Sequence, residues 1–462
     1  MLRKSAREIA AAVNGKAADP VEVTDVFVAR ILERNPSLNA LVRFDPQIAR
    51  GEALDVRRRM QAGETMPLAG VPVIVKDNIW AAGRRISQGS RLFADHVAPE
   101  DAIAVARLRQ AGAVIIGIGN SPEFACKGVT NSPLHGPTHH PLNVTLTPGG
   151  SSGGNAAALA ADFAPIALGT DGGGSGRRPL AHTGTVGFKP SFGAIPYGPG
   201  FPEPFWGISV LAPMGRSVAD VAALFDVVVG ADARDVESAA IEARSAPEPR
   251  QLRAAFCRDL GLGAPIDSDV EAAIADGVDR LAKAGWKIEH TEVQWPTGIG
   301  EASIMPLQAA GLAAIHGETW RRTPDLFDPD IAVQIERGMS LTGADVGRAL
   351  EASAAIKRTV AQFFAGYDLL LCPTAPCVAW PLTELGPKQI GGVDVPPRGH
   401  AVFTPLFNHA LVPAISIPCG RGRDGLPVGM QIASRRGRDR TVLAAATEAE
   451  RILAPINDYA RC

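Results

Sequence analysis

Two serine–glycine motifs and one lysine are the residues of this 462-residue chain whose types could do chemistry together. Residues 147–154 read TPGGSSGG and place Ser151 between glycine pairs, while residues 168–179 read LGTDGGGSGRRP and end a glycine run at Ser175. Lys76 follows the apolar run VPVIV. A serine hydroxyl is a weak nucleophile that needs a base. Taken singly, the lysine could equally extend to water and GGSSGG could be a plain turn.

The glycines before Ser175 indicate a second catalytic element. Consecutive backbone N–H groups in such a turn can converge on one point, as an oxyanion hole requires. The alternative is a phosphate-binding loop. The segment lacks the lysine of GxxxxGK[ST], and its glycines do not fit GxGxxG followed by a helix. The pattern therefore favours an oxyanion over a phosphate.

The segments around these motifs alternate between helix and strand patterns. Apolar residues spaced about 3.6 positions apart predict helices over residues 5–13, 21–34, 102–111, 156–161, 217–230 and 270–286. Asp19-Pro20 is typical of a helix start. Short apolar runs predict buried strands over residues 67–75, 114–118, 164–168, 367–371 and 414–418. Residues 231–250 are polar and are expected to form an exposed connection. This alternation predicts a sheet covered by helices.

Composition and charge exclude several classes of protein. The net charge is −2 with both signs scattered along the chain, so the basic stripe of a nucleic-acid or membrane-surface binder is missing. No window approaches 18 uncharged apolar residues, and the N-terminus lacks a signal-peptide pattern. Six cysteines without a CxxC pair indicate reduced thiols. We expect a cytoplasmic protein that binds neither membrane nor nucleic acid.

The sequence contains the lysine, then GGSSGG, then TDGGGS, and the two serines are 24 residues apart (175 − 151). Together the three features identify a kind of active site far more specifically than any one of them does. The arrangement resembles the amidase signature family, and the resemblance covers most of the chain. Further matching segments are AGAVIIG (111–117), PEF (122–124), GPT (136–138), GFKPSFG (187–193), APMGRSVAD (212–220), CPTAP (372–376), VPAISIPCG (412–420) and DGLPVGMQI (424–432).

The resemblance implies an α/β fold in which a single large domain, residues 1–462, has a central mixed, twisted β-sheet surrounded by helices. Residues 1–65 would be its N-terminal helical part and residues 66–230 its signature core. Residues 231–462 would complete the same domain and supply loops that cover the substrate. The implied activity is hydrolysis of a carboxamide C–N bond, with no metal or other cofactor.

The resemblance also assigns roles to residues. Lys76 matches the catalytic lysine, Ser151 the bridging serine that follows a cis peptide bond, and Ser175 the nucleophile. The implied oxyanion-hole donors are the backbone groups of Gly172, Gly173, Gly174 and Ser175. In such a relay Ser175 gives its proton to Ser151, which passes one to neutral Lys76. The pKa of the lysine must then fall by roughly 3, at a cost of about 4 kcal/mol, and desolvation supplies this change.

Other catalytic interpretations are possible for some of these residues. Residues 149–153 also satisfy GxSxG, the elbow of α/β-hydrolases, which would make Ser151 the nucleophile with Asp368 and either His400 or His409 as partners. That interpretation leaves Lys76 and TDGGGS unexplained. His139-His140 lacks further ligands at metal-binding spacing, and Cys126 and Cys372 are expected to be core or loop thiols.

Arg177 matches an arginine usual in the family two places after the nucleophile and is expected to be structural. Arg178 is additional, since most relatives have an apolar residue there. A guanidinium three residues from Ser175 could pair with a substrate carboxylate, and the alternative is an internal ion pair. The hypothesis is a small amide that bears an acid group, bound by Arg178 and by Ser152.

Several positions depart from the family pattern. Residues 117–120 read GIGN where relatives often read GKTN, and Leu411 stands in the glycine position of NLxGxP. The A subunit of tRNA-dependent amidotransferases, one branch of the family, has an aspartate where Ala401 stands. This weakens the amidotransferase interpretation in favour of a stand-alone amidase. A catalytically silent binding protein is disfavoured by the retained lysine and serines. Dimers are common in the family, so a homodimer is one state to test.

Overall fold

An 11-stranded mixed β-sheet forms the centre of the protein, and its strand order is β1-β3-β2-β4-β6-β5-β12-β13-β9-β7-β8. The computed structural model describes residues 1–239 and 249–453. The strands in these residues are β1 (Leu41–Arg43), β2 (Pro72–Lys76), β3 (Val114–Gly119), β4 (Ile166–Asp171), β5 (Val186–Lys189), β6 (Val210–Gly215), β7 (Arg253–Phe256), β8 (Lys287–His290), β9 (Leu369–Pro373), β10 (Gln389–Ile390), β11 (Val393–Asp394), β12 (Ala414–Arg421) and β13 (Pro427–Ala433). β10 and β11 pair only with each other.

Helices pack around this sheet. Those in the described residues are α1 (Ala6–Asn14), α2 (Pro20–Leu38), α3 (Pro46–Gln61), α4 (Ile103–Gln110), α5 (Gly153–Ala160), α6 (Arg178–Thr183), α7 (Val218–Val228), α8 (Ser268–Lys283), α9 (Glu301–Arg322), α10 (Pro329–Ser340), α11 (Gly343–Gly366), α12 (Pro405–His409) and α13 (Asp439–Leu453). The predicted fold class, one large α/β domain with a mixed sheet surrounded by helices, is confirmed.

Pairing of the central strands brings the motifs together. β2 pairs in parallel with both β3 and β4, and β4 pairs antiparallel with β6. Parallel strands are buried on both faces, which explains the unbroken apolar runs VPVIV and VIIGIG. Since β2 and β4 are parallel neighbours, they end at the same edge of the sheet. Lys76 and Asp171, their last residues, therefore lie on that edge.

Most predicted elements form within a few residues of their expected bounds. Asp19 caps α2 by accepting from Val21 N, and Ser217 caps α7 by accepting from Asp220 N, as the caps in the sequence indicate. The strand predicted over residues 67–75 is too long, because residues 67–71 form a turn and β2 begins at Pro72. The connection predicted over 231–250 lies partly outside the described residues, as does Cys462.

Leu411, in the family's glycine position, has a φ of 62°. Leu411 therefore adopts the left-handed backbone conformation that glycine adopts without strain, and its Cβ makes this conformation cost roughly 1–2 kcal/mol. We expect Leu411→Gly to leave the free energy of unfolding unchanged or raised by at most about 1 kcal/mol, because the relieved strain offsets both the lost packing of a half-buried side chain and the greater freedom of glycine in the unfolded chain. Urea unfolding measures the difference, with Leu406→Ala, a buried α12 residue, as a destabilising comparison. A Leu411→Gly variant less stable than the parent would contradict the assignment of strain.

In residues 1–239 and 249–453, every helix falls short of the length and apolar character that a bilayer crossing requires. Cys126, Cys257, Cys372, Cys377 and Cys419 are buried free thiols.

Candidate active site

Lys76 ends β2 with its side chain fully buried. Its Nζ lies 2.7 Å from Ser151 Oγ and 2.9 Å from Thr170 Oγ1, and both partners are hydroxyl groups. Asn78 Nδ2 donates to the same Thr170 oxygen at 3.1 Å. The lysine is therefore fixed between one serine of the GGSSGG motif and a threonine of the neighbouring strand β4.

The surroundings of Lys76 favour its neutral form. Burial lowers the pKa of Lys76 to about 7, and the nearest acids, Glu203 and Asp171, only partly oppose this effect. In the described part of the chain, Lys76 forms no ion pair with a carboxylate. An appreciable fraction of this lysine is thus unprotonated near neutral pH. Proton transfer from Ser175 through Ser151 to Lys76 requires a lysine pKa lowered to such a value.

The GGSSGG motif lies in a turn that leads into α5. The peptide bond between Gly150 and Ser151 is cis, as the resemblance implies for a bridging serine. Thr130 holds this turn, because its Oγ1 lies 2.9 Å from Gly149 O and accepts from Gly153 N at 2.9 Å. Ser151 is fully buried and its Oγ lies against the lysine.

The glycine loop that precedes Ser175 is shaped by the carboxylate of Asp171. Gly174 N and Gly176 N donate to this carboxylate at 2.6 and 3.1 Å. Arg177 donates to the same group through Nε at 2.8 Å and Nη2 at 3.0 Å. Burial disfavours a charged Asp171, but the Arg177 guanidinium outweighs burial and holds the pKa of Asp171 well below its usual range. An ionised aspartate therefore organises the loop.

Arg177 connects this loop to the C-terminal part of the chain. Its Nη1 donates to Gln431 Oε1 and its Nη2 to Asn408 Oδ1, both at 2.6 Å, and both nitrogens reach Thr404 O at 3.1 Å. The side chain is fully buried. The structure thus agrees with the structural role predicted for Arg177.

One of the four predicted oxyanion donors needs correction. The Gly174 N–H is used by Asp171 and is not aimed at a ligand. Gly174 has a φ of 114°, and a Cβ there would lie 2.1 Å from Thr404 Oγ1, so glycine is needed for close approach of the loop to this threonine. The N–H groups of Gly172, Gly173 and Ser175 are the remaining candidates. The same use of Gly174 N and Gly176 N disfavours a phosphate-binding loop.

Ser151 and Ser175 line the same small cavity, together with Gly172, Glu203 and Phe205. A second cavity adjoins it on the other side of Gly172 and Phe205. Its lining combines apolar side chains of α9 with the ion pair between Arg398 and Glu301. The predicted nucleophile therefore lines one small cavity, and the second cavity shares Gly172 and Phe205 with it.

Arg178 and Ser152 line neither cavity. Arg178 is buried, and its Nη1 donates to Gly173 O and, at 2.6 Å, to Thr404 Oγ1. Burial, with repulsion from Arg398, lowers the pKa of Arg178 to about 9. The internal ion pair considered for Arg178 is not formed with any acid in the described ranges. Ser152 Oγ points to Thr170 O at 3.4 Å.

The rival residues have hydrogen-bond and ring partners other than Ser151, although His409 lines the second cavity. His409 Nδ1 contacts Ser353 Oγ at 2.8 Å, His400 packs on the Trp380 ring, and Asp368 accepts from Arg253 N. No hydrogen bond joins these three to Ser151 in the described residues, which gives the α/β-hydrolase interpretation no support.

The alternative metal and thiol sites are likewise unsupported by their contacts. His139 Nδ1 lies 2.7 Å from Val144 O, and His140 Nε2 lies 2.8 Å from His182 O. Residues 1–239 and 249–453 contain no group of three or more His, Cys, Asp or Glu side chains arranged to hold a metal ion. Burial raises the pKa of the Cys372 thiol to about 12 and that of Cys126 well above its usual range. Neither thiol is activated as a nucleophile.

Comparison with known proteins decides the family. The Amidase family model matches residues 22–443. The chain belongs to the amidase family. It is an amide-hydrolysing enzyme. The acylamidase of Rhodococcus erythropolis is 35% identical over 460 residues, covering 97% of this chain and 95% of the relative. The A subunit of the glutamyl-tRNA(Gln) amidotransferase of Symbiobacterium thermophilum is also 35% identical, over 463 residues and 92% of each chain.

The fold of this amidase is similar to that of solved family members. A bacterial aryl acylamidase superimposes with a TM-score of 0.92 at 28% identity, covering 99% of each chain. A 6-aminohexanoate cyclic dimer hydrolase in complex with its substrate superimposes with a TM-score of 0.87 at 26% identity, covering 100% of each chain.

Sequence reasoning missed several residues of the amidase site. Thr170 and Asn78 orient the lysine, Asp171 shapes the glycine loop, and Glu203 lines the cavity. A signal existed for Thr170 and Asp171, because both belong to the TDGGGS motif at the end of a buried strand. Residues 196–210 are rich in proline, glycine and aromatic residues, and their sequence gave no sign that Glu203, the one acid among them, would line the cavity.

Proposed function

We propose that this amidase hydrolyses the C–N bond of a carboxamide through an acyl-enzyme, with Ser175 as nucleophile, Ser151 as bridging group and Lys76 as base. The observation that carries this proposal is the 2.7 Å contact between Lys76 Nζ and Ser151 Oγ at a site where burial lowers the pKa of the lysine to about 7. A neutral amine beside a serine hydroxyl can accept a proton, which an ordinary lysine cannot do at neutral pH.

The reaction then proceeds in balanced steps. Ser175 Oγ attacks the carbonyl carbon and its proton passes to Ser151, whose own proton passes to Lys76. The negative oxygen of the tetrahedral intermediate accepts hydrogen bonds from N–H groups of Gly172, Gly173 and Ser175. Collapse breaks the C–N bond, and the lysinium returns its proton through Ser151 to the departing ammonia or amine. Water releases the acid from Ser175 by the same route.

The proposed substrate is a small amide, acted on without a partner protein. Glutaminase activity within a tRNA-dependent amidotransferase is the second candidate, because relatives from that branch are as similar in sequence as the acylamidase. Ala401 favours the stand-alone enzyme, since it cannot bind an amino group as an aspartate in that position would.

A screen for released ammonia or amine tests this proposal. The purified full chain is supplied with neutral, acidic, basic and aromatic amides, and the Ser175→Ala variant is the blank. Turnover of small amides by the chain alone supports the proposal. Glutamine hydrolysis that appears only when the other amidotransferase proteins are added would favour the second candidate, and no turnover in either condition would contradict both.

Arg178 is expected to act on the glycine loop, because its contacts are with Gly173 and Thr404 and not with the cavity. Replacing it by alanine should lower kcat by roughly 10-fold to 100-fold on neutral and acidic amides alike, as loss of loop geometry would. Steady-state kinetics on amides of matching size measure both.

The hypothesis that Arg178 binds a substrate carboxylate predicts another result. It requires a rise in KM confined to the acidic amide, with the neutral amide little affected. Arg178→Lys is the matched control, because it retains a cation without the planar donors that reach two oxygens at once. Selective loss on the acidic amide, partly restored by lysine, would overturn the loop-positioning role.

A further inference from the structure

Glu203 is an acid in the cavity of the two serines that the proposed mechanism does not use. It lies in the loop between β5 and β6 and lines this cavity with Ser151 and Ser175. The residue is partly exposed, and the cavity that it lines is the one that contains both serines. The loop thus places a carboxyl group beside the reacting residues.

The hydrogen bonds of Glu203 come from neutral donors. Tyr197 Oη donates to Oε2 at 2.6 Å, and Phe205 N donates to Oε1 at 3.3 Å. Within residues 1–239 and 249–453, Glu203 forms no ion pair with lysine, arginine or histidine. The charged group that acts on it through space is Lys76, which is neutral when it works as a base. Burial raises the pKa of Glu203, as expected for an acid without a counter-ion.

The other acid near the site differs in this respect. Glu301, in the adjoining cavity, is paired with Arg398 through a contact of 2.5 Å between Arg398 Nε and Glu301 Oε1. Its charge is therefore already compensated inside the protein. Glu203 is the acid of the two cavities that lacks a cationic partner among the described residues.

The rest of the cavity suits an alkylammonium group. Phe124 and Phe205 line it with Glu203, so apolar side chains against which methylene groups can pack lie in the same cavity as the carboxyl group. An ammonium ion that enters would supply the missing counter-charge. It would also disfavour protonation of Lys76, since two cations in one small cavity repel each other.

We propose that Glu203 binds a protonated amine of the substrate, so that the enzyme prefers amides that carry an alkylammonium group. This inference rests on the proposed amide hydrolysis at Ser175. It names a substrate class opposite in charge to the acid-bearing amides considered for Arg178. Glu203 determines specificity here and takes no part in proton transfer.

Binding to the Ser175→Ala variant tests the proposal without turnover. The probes are ω-aminoalkanamides of increasing chain length and neutral alkanamides of matching length, titrated by calorimetry. We expect the best ω-aminoalkanamide to bind at least about 10-fold more tightly than its neutral match. Adding Glu203→Gln, which keeps the size and hydrogen-bonding capacity of the side chain, should remove this preference while changing the affinity for the neutral amide less than about 3-fold.

Glu301→Gln is the matched control, because it removes the same charge from the neighbouring cavity at a site already paired. It should leave the preference for the ammonium group intact. Equal affinities for the two series, equal losses on both in Glu203→Gln, or no binding of either series would each overturn the proposal. Hydrolysis of neutral alkanamides by the parent enzyme is measured separately. If the parent hydrolyses neutral alkanamides but does not bind ω-aminoalkanamides more tightly than their neutral matches, the role of Glu203 is rejected and the proposed amide hydrolysis stands.

Discussion

Replacing Ser175 by alanine is expected to lower kcat/KM for amide hydrolysis by about 10⁴-fold or more, because the proposed mechanism carries the acyl group on Ser175. Substrate affinity should change little, since the alanine leaves the glycine loop and both cavities in place. Burst kinetics on an activated ester, together with mass spectrometry of the trapped acyl-enzyme, measure the loss and locate the acyl group.

Ser152→Ala is the matched control for this change. Ser152 is also a buried serine of the signature region, but its hydroxyl points to Thr170 O and away from the cavity lining. Its loss should cost less than about 10-fold in kcat/KM. An acyl group trapped on Ser151, with Ser175→Ala still active, would restore the α/β-hydrolase interpretation.

Replacing Lys76 by methionine is expected to lower kcat by roughly 10³-fold to 10⁴-fold, the contribution of a positioned general base. The parent enzyme should show a rate that rises with pH through about 7, the value to which burial lowers the pKa of Lys76. The acid limb should disappear from the residual activity of the variant. A residual rate that keeps this limb would assign the titration to another group.

The same substitution should stabilise the folded protein. The pKa of Lys76 is about 7 in the folded chain and 10.5 for an ordinary lysine, so the unfolded chain binds the extra proton between these values. The free energy of unfolding of the parent therefore rises with pH across this window, by up to roughly 5 kcal/mol. The destabilisation that the buried Lys76 causes is greatest below pH 7. Lys76→Met should be more stable than the parent below pH 7, and its advantage should shrink as the pH approaches 10.5.

Urea unfolding at a series of pH values measures this difference. Methionine has a similar length and no charge, so it fills most of the space and leaves the hydroxyls of Ser151 and Thr170 with one partner fewer. Thr170→Val, which removes one of these hydroxyls and keeps the lysine, separates the lost hydrogen bond from the relieved charge. A Lys76→Met variant less stable than the parent at every pH would contradict a lysine held neutral by burial.

The sequence was most informative where function depends on local backbone. The motifs around Lys76, Ser151 and Ser175 identified the family, and the apolar runs of β2 and β4 predicted their burial. It could not show that β2 and β4 are neighbours, and hence that Thr170 would contact the lysine. The donor role assigned to Gly174 required correction because an aspartate carboxylate three residues earlier takes its N–H, a detail of turn geometry that composition does not reveal.

Helices α9 and α11 were not predicted, because their many small residues weaken the apolar period. Helix α10 was also missed, although its apolar residues follow the helical period. The contacts of Arg177 could not be inferred either, since its partners Thr404, Asn408 and Gln431 are distant in the chain. The sequence showed only that Leu411 stands in the glycine position of a family motif, and the structure adds that its φ is 62°.

The buried guanidinium of Arg177 also sets the order in which this enzyme can mature. Its partners Thr404 and Gln431 follow it by 227 and 254 positions, so the chain must be synthesised at least through residue 431 before all contacts that anchor the loop of Ser175 can form. Long loops closed by such contacts form late in folding. A nascent or prematurely terminated chain that ends before residue 404 would therefore carry all three reactive side chains without a working arrangement of them.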